Sequence, residues 1–266
     1  MREFEAAKEL FKDAIDPSFY FDSISAEIAR KKLQESIGDE SVPLIFIVGD
    51  PGVGKSHMMR FMHHATAVRS LTVFIDHPFF EPKDLFKQLY DVRGMEFSPH
   101  KTQGEMLEEL FEAFVGLRCT IFIDEAQLLN DDQFELIRIL GDYKLFQFVL
   151  AMHKDEGVRL LRKKQFQTRS KWVIEYGNLD EHEVLRYIHA LLMSHSYGDI
   201  ACMFSKSEAK FITRYTQGNF RTIKKFCYTL MKLLAYAHKN NLAKYRKITR
   251  CLLTMTALDI GLIHDA

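Results

Sequence analysis

The octapeptide Gly49-Asp50-Pro51-Gly52-Val53-Gly54-Lys55-Ser56 constrains this chain more than any other stretch. It follows a continuous apolar run, Leu44-Ile45-Phe46-Ile47-Val48, and precedes a helical pattern that starts near His57. A buried strand that turns through three glycines into a helix brings successive backbone N–H groups around one point, with the helix N-terminus behind them. That concavity takes phosphate. The pattern therefore predicts an ATP site held by Gly49, Asp50, Pro51, Gly52, Val53, Gly54, Lys55, Ser56 and His57, with Lys55 at the β- and γ-phosphates and the Ser56 hydroxyl on Mg²⁺.

A second signal lies further along. Thr120-Ile121-Phe122-Ile123 is an apolar strand that ends in two adjacent carboxylates, Asp124 and Glu125. Asp124 fits the acidic residue on the Mg²⁺ side of the site, and Glu125 the carboxylate that polarises an attacking water. Similar apolar runs occur at 71–75, 146–150 and 172–174, with helical segments such as 105–114 and 133–140 between them. Strands alternating with helices predict an α/β fold, a parallel sheet flanked by helices. After about residue 178 the strand signals stop, and Asn178-Leu179-Asp180-Glu181-His182-Glu183 supplies a cap and acidic first turn for a helix. The expected division is a nucleotide-binding domain at 1–177 and an all-helical lid at 178–266.

Composition excludes several classes. With 47% hydrophobic and 27% charged residues, the 266-residue chain reads as globular. No apolar run approaches the roughly 18 residues of a spanning helix, and Met1 to Glu5 do not open a signal peptide, so a cytoplasmic location is expected. Cys119, Cys202, Cys227 and Cys251 are too widely separated for a redox pair or a zinc framework. The formal net charge of zero conceals an asymmetry: residues 1–157 carry 17 Lys+Arg against 28 Asp+Glu, and residues 158–266 carry 19 against 8. Such a division reads either as ordinary solvated faces or as a basic half that meets nucleic acid or the acidic half of a neighbouring copy.

Taken with Gly49 to Ser56, the segment Ile123-Asp124-Glu125-Ala126-Gln127-Leu128-Leu129 resembles the AAA+ ATPases of the general secretion pathway component A (ExeA-like) group, relatives of the transposition helpers MuB and TniB. The resemblance implies a P-loop NTPase (AAA+) fold with a C-terminal helical lid, Mg²⁺-dependent ATP hydrolysis and homo-oligomerisation on nucleotide binding. It extends over most of the chain. Asp16 to Phe21 looks like the family segment that packs near the adenine, although its aromatics serve core packing equally well. Phe148 to His153 occupies the place of a strand ending in Gly-Gln, whose polar residue reads the γ-phosphate; here Met152 and His153 stand instead, and His153 can still donate a hydrogen bond. Gln167-Thr168-Arg169 resembles the pattern that carries an arginine to the neighbouring subunit's γ-phosphate, with Arg162 close enough to compete. Thr216 to Ile223 resembles the family's Gly-Asn-Pro-Arg stretch with Phe220 in place of proline, which implies that Arg221 touches the nucleotide from the lid.

Two functions follow from the resemblance. The first is a cytosolic assembly factor of a secretion, type IV pilus or DNA-uptake apparatus. The larger secretion ATPases carry a membrane helix and a wall-binding domain after the lid, so this chain is expected to reach the periphery of the inner membrane through a protein partner. The alternative is a DNA-associated ATPase of the transposition-helper kind, with Lys239, Lys244, Arg246, Lys247 and Arg250 interleaved with Tyr236 and Tyr245 for phosphate contact and stacking. A metabolic kinase fits less well, because adjacent Asp-Glu with a helical lid suits transfer to water.

Overall fold

The structure is a computed structural model that describes residues 2–14, 19–76, 81–163 and 171–263. Its packing divides the chain into two units, Ala26–Tyr176 and a second one made of Met1–Ser25 with Gly177–Ala266.

The first unit is built on five parallel strands: β1 (Leu44–Gly49), β2 (Leu71–Ile75), β3 (Cys119–Ile123), β4 (Phe146–His153) and β5 (Lys171–Glu175). They lie in the order β2-β3-β4-β1-β5. Every residue of β1 and β3 is buried, which is why these strands read as unbroken apolar runs and not as alternating ones. Helix α2 (Ile24–Ser36) precedes β1, and α3 (Lys55–Ala67), α4 (Pro82–Val92), α5 (Gln103–Phe114), α6 (Asp131–Asp142) and α7 (Lys154–Leu161) supply the crossovers. Phe86 of α4, Phe114 of α5 and Ile137 of α6 join Phe46, Ile121 and Phe148 of the sheet in one apolar core. Gln147 of β4 is polar and fully buried. Gln147 donates to the Ser36 and Val42 carbonyls, each at 2.8 Å, and its own carbonyl accepts from the Gly38 N–H at 3.2 Å, so it pins the turn that feeds β1. Its amide is thereby satisfied without water.

The second unit is helical, with α8 (Glu181–Ser194), α9 (Gly198–Ala201), α10 (Lys206–Thr216), α11 (Phe220–Lys239) and α12 (Arg250–Asp259), preceded in the chain by α1 (Arg2–Ala7). Asp180 caps α8 in a reciprocal box with Glu183, as the 178–183 pattern predicts. Gln217 and Gly218 both adopt left-handed φ, at 53° and 72°, which reverses the chain so that Asn219 caps α11. Residues 1–25, which the linear reading puts at the head of the nucleotide-binding domain, group here because Phe4, Ala7 and Phe11 bury themselves among Phe226, Leu230 and Leu234 of α11. Local pattern shows that such residues need a core but not which one.

Regrouping by unit changes the charge picture. Ala26–Tyr176 carries 20 Lys+Arg against 23 Asp+Glu, and the other unit 16 against 13. The asymmetry of eleven charges between the two ends of the chain thus shrinks to three. Pairing of a basic unit with an acidic one has little to draw on. Among the described residues no helix is long and apolar enough to cross a membrane.

Candidate functional site

The glycines after β1 are required by specific contacts. The Tyr176 N–H donates to the Val48 carbonyl at 2.7 Å, which draws that backbone against Gly49. A Cβ on Gly49 would sit 2.3 Å from the Tyr176 carbonyl oxygen, so only glycine fits. Gly52 and Gly54 take φ of 79° and 103°, and these left-handed residues turn the chain directly into α3 at Lys55. The N-cap of that helix, Gly54, has no side chain to cap the first turn. Lys55 is buried, and its ammonium donates to the Gly49 and Asp50 carbonyls at 2.8 and 2.9 Å. The cation therefore closes the loop on itself, in the position from which it can exchange carbonyl oxygens for phosphate oxygens.

The carboxylate pair lies at the end of β3. Asp124 continues from that strand with its N–H bonded to the Ile75 carbonyl of β2 at 3.0 Å. Its buried carboxylate accepts from the Ser56 hydroxyl, and from the Glu125 N–H at 3.0 Å. Burial raises its pKa above the ordinary 3.8, against the lowering effect of the Ser56 and Glu125 hydrogen bonds and of the Lys55 charge. A desolvated carboxylate bonded to a serine hydroxyl is a hard oxygen pair, the donor chemistry that Mg²⁺ takes, and a divalent cation would relieve the cost of burying that charge. The sequence-predicted Ser56 and Asp124 are thus brought together.

Glu125 stands in left-handed backbone, φ 50° and ψ 36°. A non-glycine residue in that region is uncommon, and here it directs the carboxylate away from the line of β3. Two groups receive it. The Gln127 side-chain amide donates to Oε2, and the His153 Nε2 lies 3.6 Å from the same oxygen. His153 ends β4, the strand between β1 and β3, and stands in register with Gly49. Its backbone N–H donates in turn to Gln127 Oε1 at 3.4 Å. Gln127 thus links Glu125 to the end of β4, a role that motif spacing did not assign although the residue stands two positions after the glutamate.

The remaining predicted residues are placed differently. Arg169 lies outside the described residues, as do Asp16, Pro17 and Ser18. Arg162 follows the last turn of α7. Arg221 belongs to the helical unit, where its Nε pairs with Asp13 at 3.0 Å on the surface. Phe19 and Phe21 pack against Tyr187, with ring centroids 6.3 and 5.5 Å apart, and Phe21 also meets Phe220, so both rings serve the core of that unit.

Residues 39–160 match the family described as AAA domain. No curated protein matches the chain in sequence. Among solved structures it is similar to Drosophila ORC bound to DNA, at 15% identity with a TM-score of 0.65, over 97% of this chain and 66% of that one. It is similar to Cdc6p from Pyrobaculum aerophilum at 16% identity and 0.64, over 88% of this chain and 66% of that one. A third is the Aeropyrum pernix ORC2 protein in ADPNP–ADP complexes, at 12% identity and 0.59, over 93% and 70%. This chain therefore spans just under two thirds of the first two. The likeness shows the fold: a P-loop AAA+ fold with a parallel five-stranded sheet flanked by helices, followed by a helical C-terminal region.

Proposed function

We propose that this AAA domain binds ATP at Gly49–Ser56, hydrolyses it under the control of Glu125, and works on DNA. The observation that supports the chemistry is the convergence of Lys55, Ser56, Asp124 and Glu125 on one end of the sheet. Phosphoryl transfer to water asks a protein mainly to position its reactants and to neutralise charge. In this reading the N–H groups from Gly52 to His57 cradle the phosphates, and Lys55 gives up its loop carbonyls to them. Ser56 and Asp124 would hold Mg²⁺, which would supply positive charge to offset that of the phosphates. Glu125 orients the water, and His153 reads the γ-phosphate from the next strand. Arg169 of a neighbouring copy stabilises charge on the transferred group, with Arg162 the competitor, and Arg221 contributes from the helical unit.

Association with DNA rests on two supports: the likeness to a structure of ORC bound to DNA, and a run of fifty residues, 209–258, that holds eleven Lys+Arg and no Asp or Glu. Both favour the transposition-helper side of the ExeA-like resemblance over assembly of an envelope apparatus. The test is ATP affinity and turnover of the wild type, Lys55→Ala and Glu125→Gln, each with and without duplex DNA. Loss of tight binding in Lys55→Ala, intact binding with no turnover in Glu125→Gln, and DNA-dependent turnover in the wild type are the expected results. Wild-type turnover indifferent to DNA at every salt concentration would remove the DNA assignment, and turnover by Glu125→Gln at the wild-type rate would remove the catalytic one.

A further inference from the structure

The acid-free run has a shape. Helix α11 is 20 residues long, about 30 Å, and contains no Asp or Glu. Arg221, Lys225, Lys232, Tyr236 and Lys239 are its exposed large side chains, and at 3.6 residues per turn they fall within roughly 60° of arc, one straight line over about 27 Å. Opposite that line, Ile223, Phe226, Leu230 and Leu234 are fully buried. Tyr236, 61% exposed, is an aromatic ring held out in water on the cationic face.

Solvated helix faces in this protein look different elsewhere. Lys31 on α2 pairs with Glu27 one turn away at 2.7 Å, and Arg138 on α6 is held between Glu135 and Asp142. Such pairs at three or four positions are the usual way that a helix surface balances its charge. On α11 the balance is absent. Arg221 finds Asp13 from outside the helix and Lys225 donates to the Ile260 carbonyl at 3.3 Å, while among the described residues no ion pair engages Lys232 or Lys239. Beyond the helix end Lys244, Lys247 and Arg250 are exposed and continue the run.

We propose that the Lys225–Lys232–Tyr236–Lys239 face of α11 contacts the phosphate backbone of duplex DNA. Single cations set in file along about 21 Å suit a continuous line of negative charge better than the compact acidic patch of a folded partner. The exposed tyrosine hydroxyl adds a donor of the kind that bonds phosphate oxygens. Contacts of this type position without reading sequence, so affinity is expected to be similar across mixed-sequence duplexes. The inference deepens the DNA reading above and rests on it.

The test uses the full chain with Lys225→Gln, Lys232→Gln and Lys239→Gln combined, and leaves Arg221 intact because it belongs to the proposed nucleotide machinery. All three changes are at side chains outside the core, and DNA-free ATP turnover is expected to be unchanged. Binding to a fluorescent mixed-sequence duplex is measured across a salt series, with Lys31→Gln/Lys87→Gln as the surface-charge control. Each phosphate that goes unneutralised should flatten the log–log salt slope by about 0.9, so the triple variant should be shallower by about 2.7 and the control unchanged. A wild-type slope in the triple variant, with DNA bound as tightly as before, overturns this surface while leaving the DNA reading intact. Absence of DNA binding by the wild type overturns both. Polyglutamate that displaces the duplex as effectively as unlabelled duplex overturns the choice of DNA over an acidic protein.

Discussion

Replacing Gln127 with leucine isolates the link between the carboxylate and the strand beside it. The amide donates to Glu125 and accepts from the His153 N–H, so the substitution removes two hydrogen bonds at similar side-chain volume. A hydrogen bond to a charged group contributes about 1.5–3 kcal/mol net. Glu125 has a side chain 44% exposed, so water replaces much of that and about 1 kcal/mol remains. Removal of the acceptor for His153 adds about 0.5–1 kcal/mol. If this total of about 1.5–2 kcal/mol goes into aiming the glutamate, kcat falls roughly 10- to 30-fold, because each 1.36 kcal/mol on the barrier is tenfold in rate. Nucleotide affinity should hold, since in the proposed mechanism Glu125 acts on the water and not on the bound phosphates. The assay is steady-state turnover with nucleotide affinity measured separately, and thermal melting to exclude a general loss of structure. Gln127→Glu keeps the acceptor but sets a second carboxylate against Glu125, and should be slower than Gln127→Leu. Unchanged kcat in Gln127→Leu, or a fall in kcat matched by a fall in affinity, would refute the positioning argument.

Arg169→Ala should bind ATP normally and hydrolyse it poorly, and mixing it with Lys55→Ala should restore part of the turnover, because an intact loop from one variant can then face an intact arginine from the other. Full turnover by Arg169→Ala alone, at protein concentrations where wild-type activity still rises, sinks that assignment. Gly218→Ala should lower stability by about 3 kcal/mol, since its Cβ would lie 1.9 Å from the Leu179 carbonyl oxygen and its φ is +72°. A calorimetric Tm within a degree or two of wild type would show that the turn relaxes around the methyl.

Legibility in the sequence followed the range of the interaction. The central strands β1 and β3 were visible as apolar runs because a central parallel strand is buried on both faces and leaves no polar alternation to interpret, whereas the edge strands β2 and β5 are only partly buried and β5 showed only as the short run 172–174. The glycine-lysine-serine loop was visible because its spacing is local. So was the Asp180–Glu183 helix start. What was hidden depends on pairing between distant segments. Insertion of β4 between β1 and β3 cannot be read from the strand itself, yet it brings His153 to Glu125. The reason that Gly49 must be glycine lies more than a hundred residues away, in the Tyr176 carbonyl.

Charge shows the same limit from the other side. A sum along the chain assigns opposite signs to its two ends, but residues 1–25 carry their acids into the helical unit, and residues 158–176 carry their bases into the sheet unit. Each unit is then close to neutral, so a long-range field between whole units drives little. What survives regrouping is local: one helix face with cations, a tyrosine and no acid. At an ionic strength of about 0.15 M the screening length is about 8 Å, comparable to the spacing along that face, so neighbouring cations reinforce one another while acids several screening lengths away add almost nothing. A polyanion that docks there responds to the stripe and not to the net charge. The salt slope of DNA binding should therefore follow substitutions on α11 and ignore compensating changes elsewhere that restore the same total charge, which a titration of Lys225→Gln/Lys232→Gln/Lys239→Gln with three added surface lysines on Ala26–Tyr176 would measure directly.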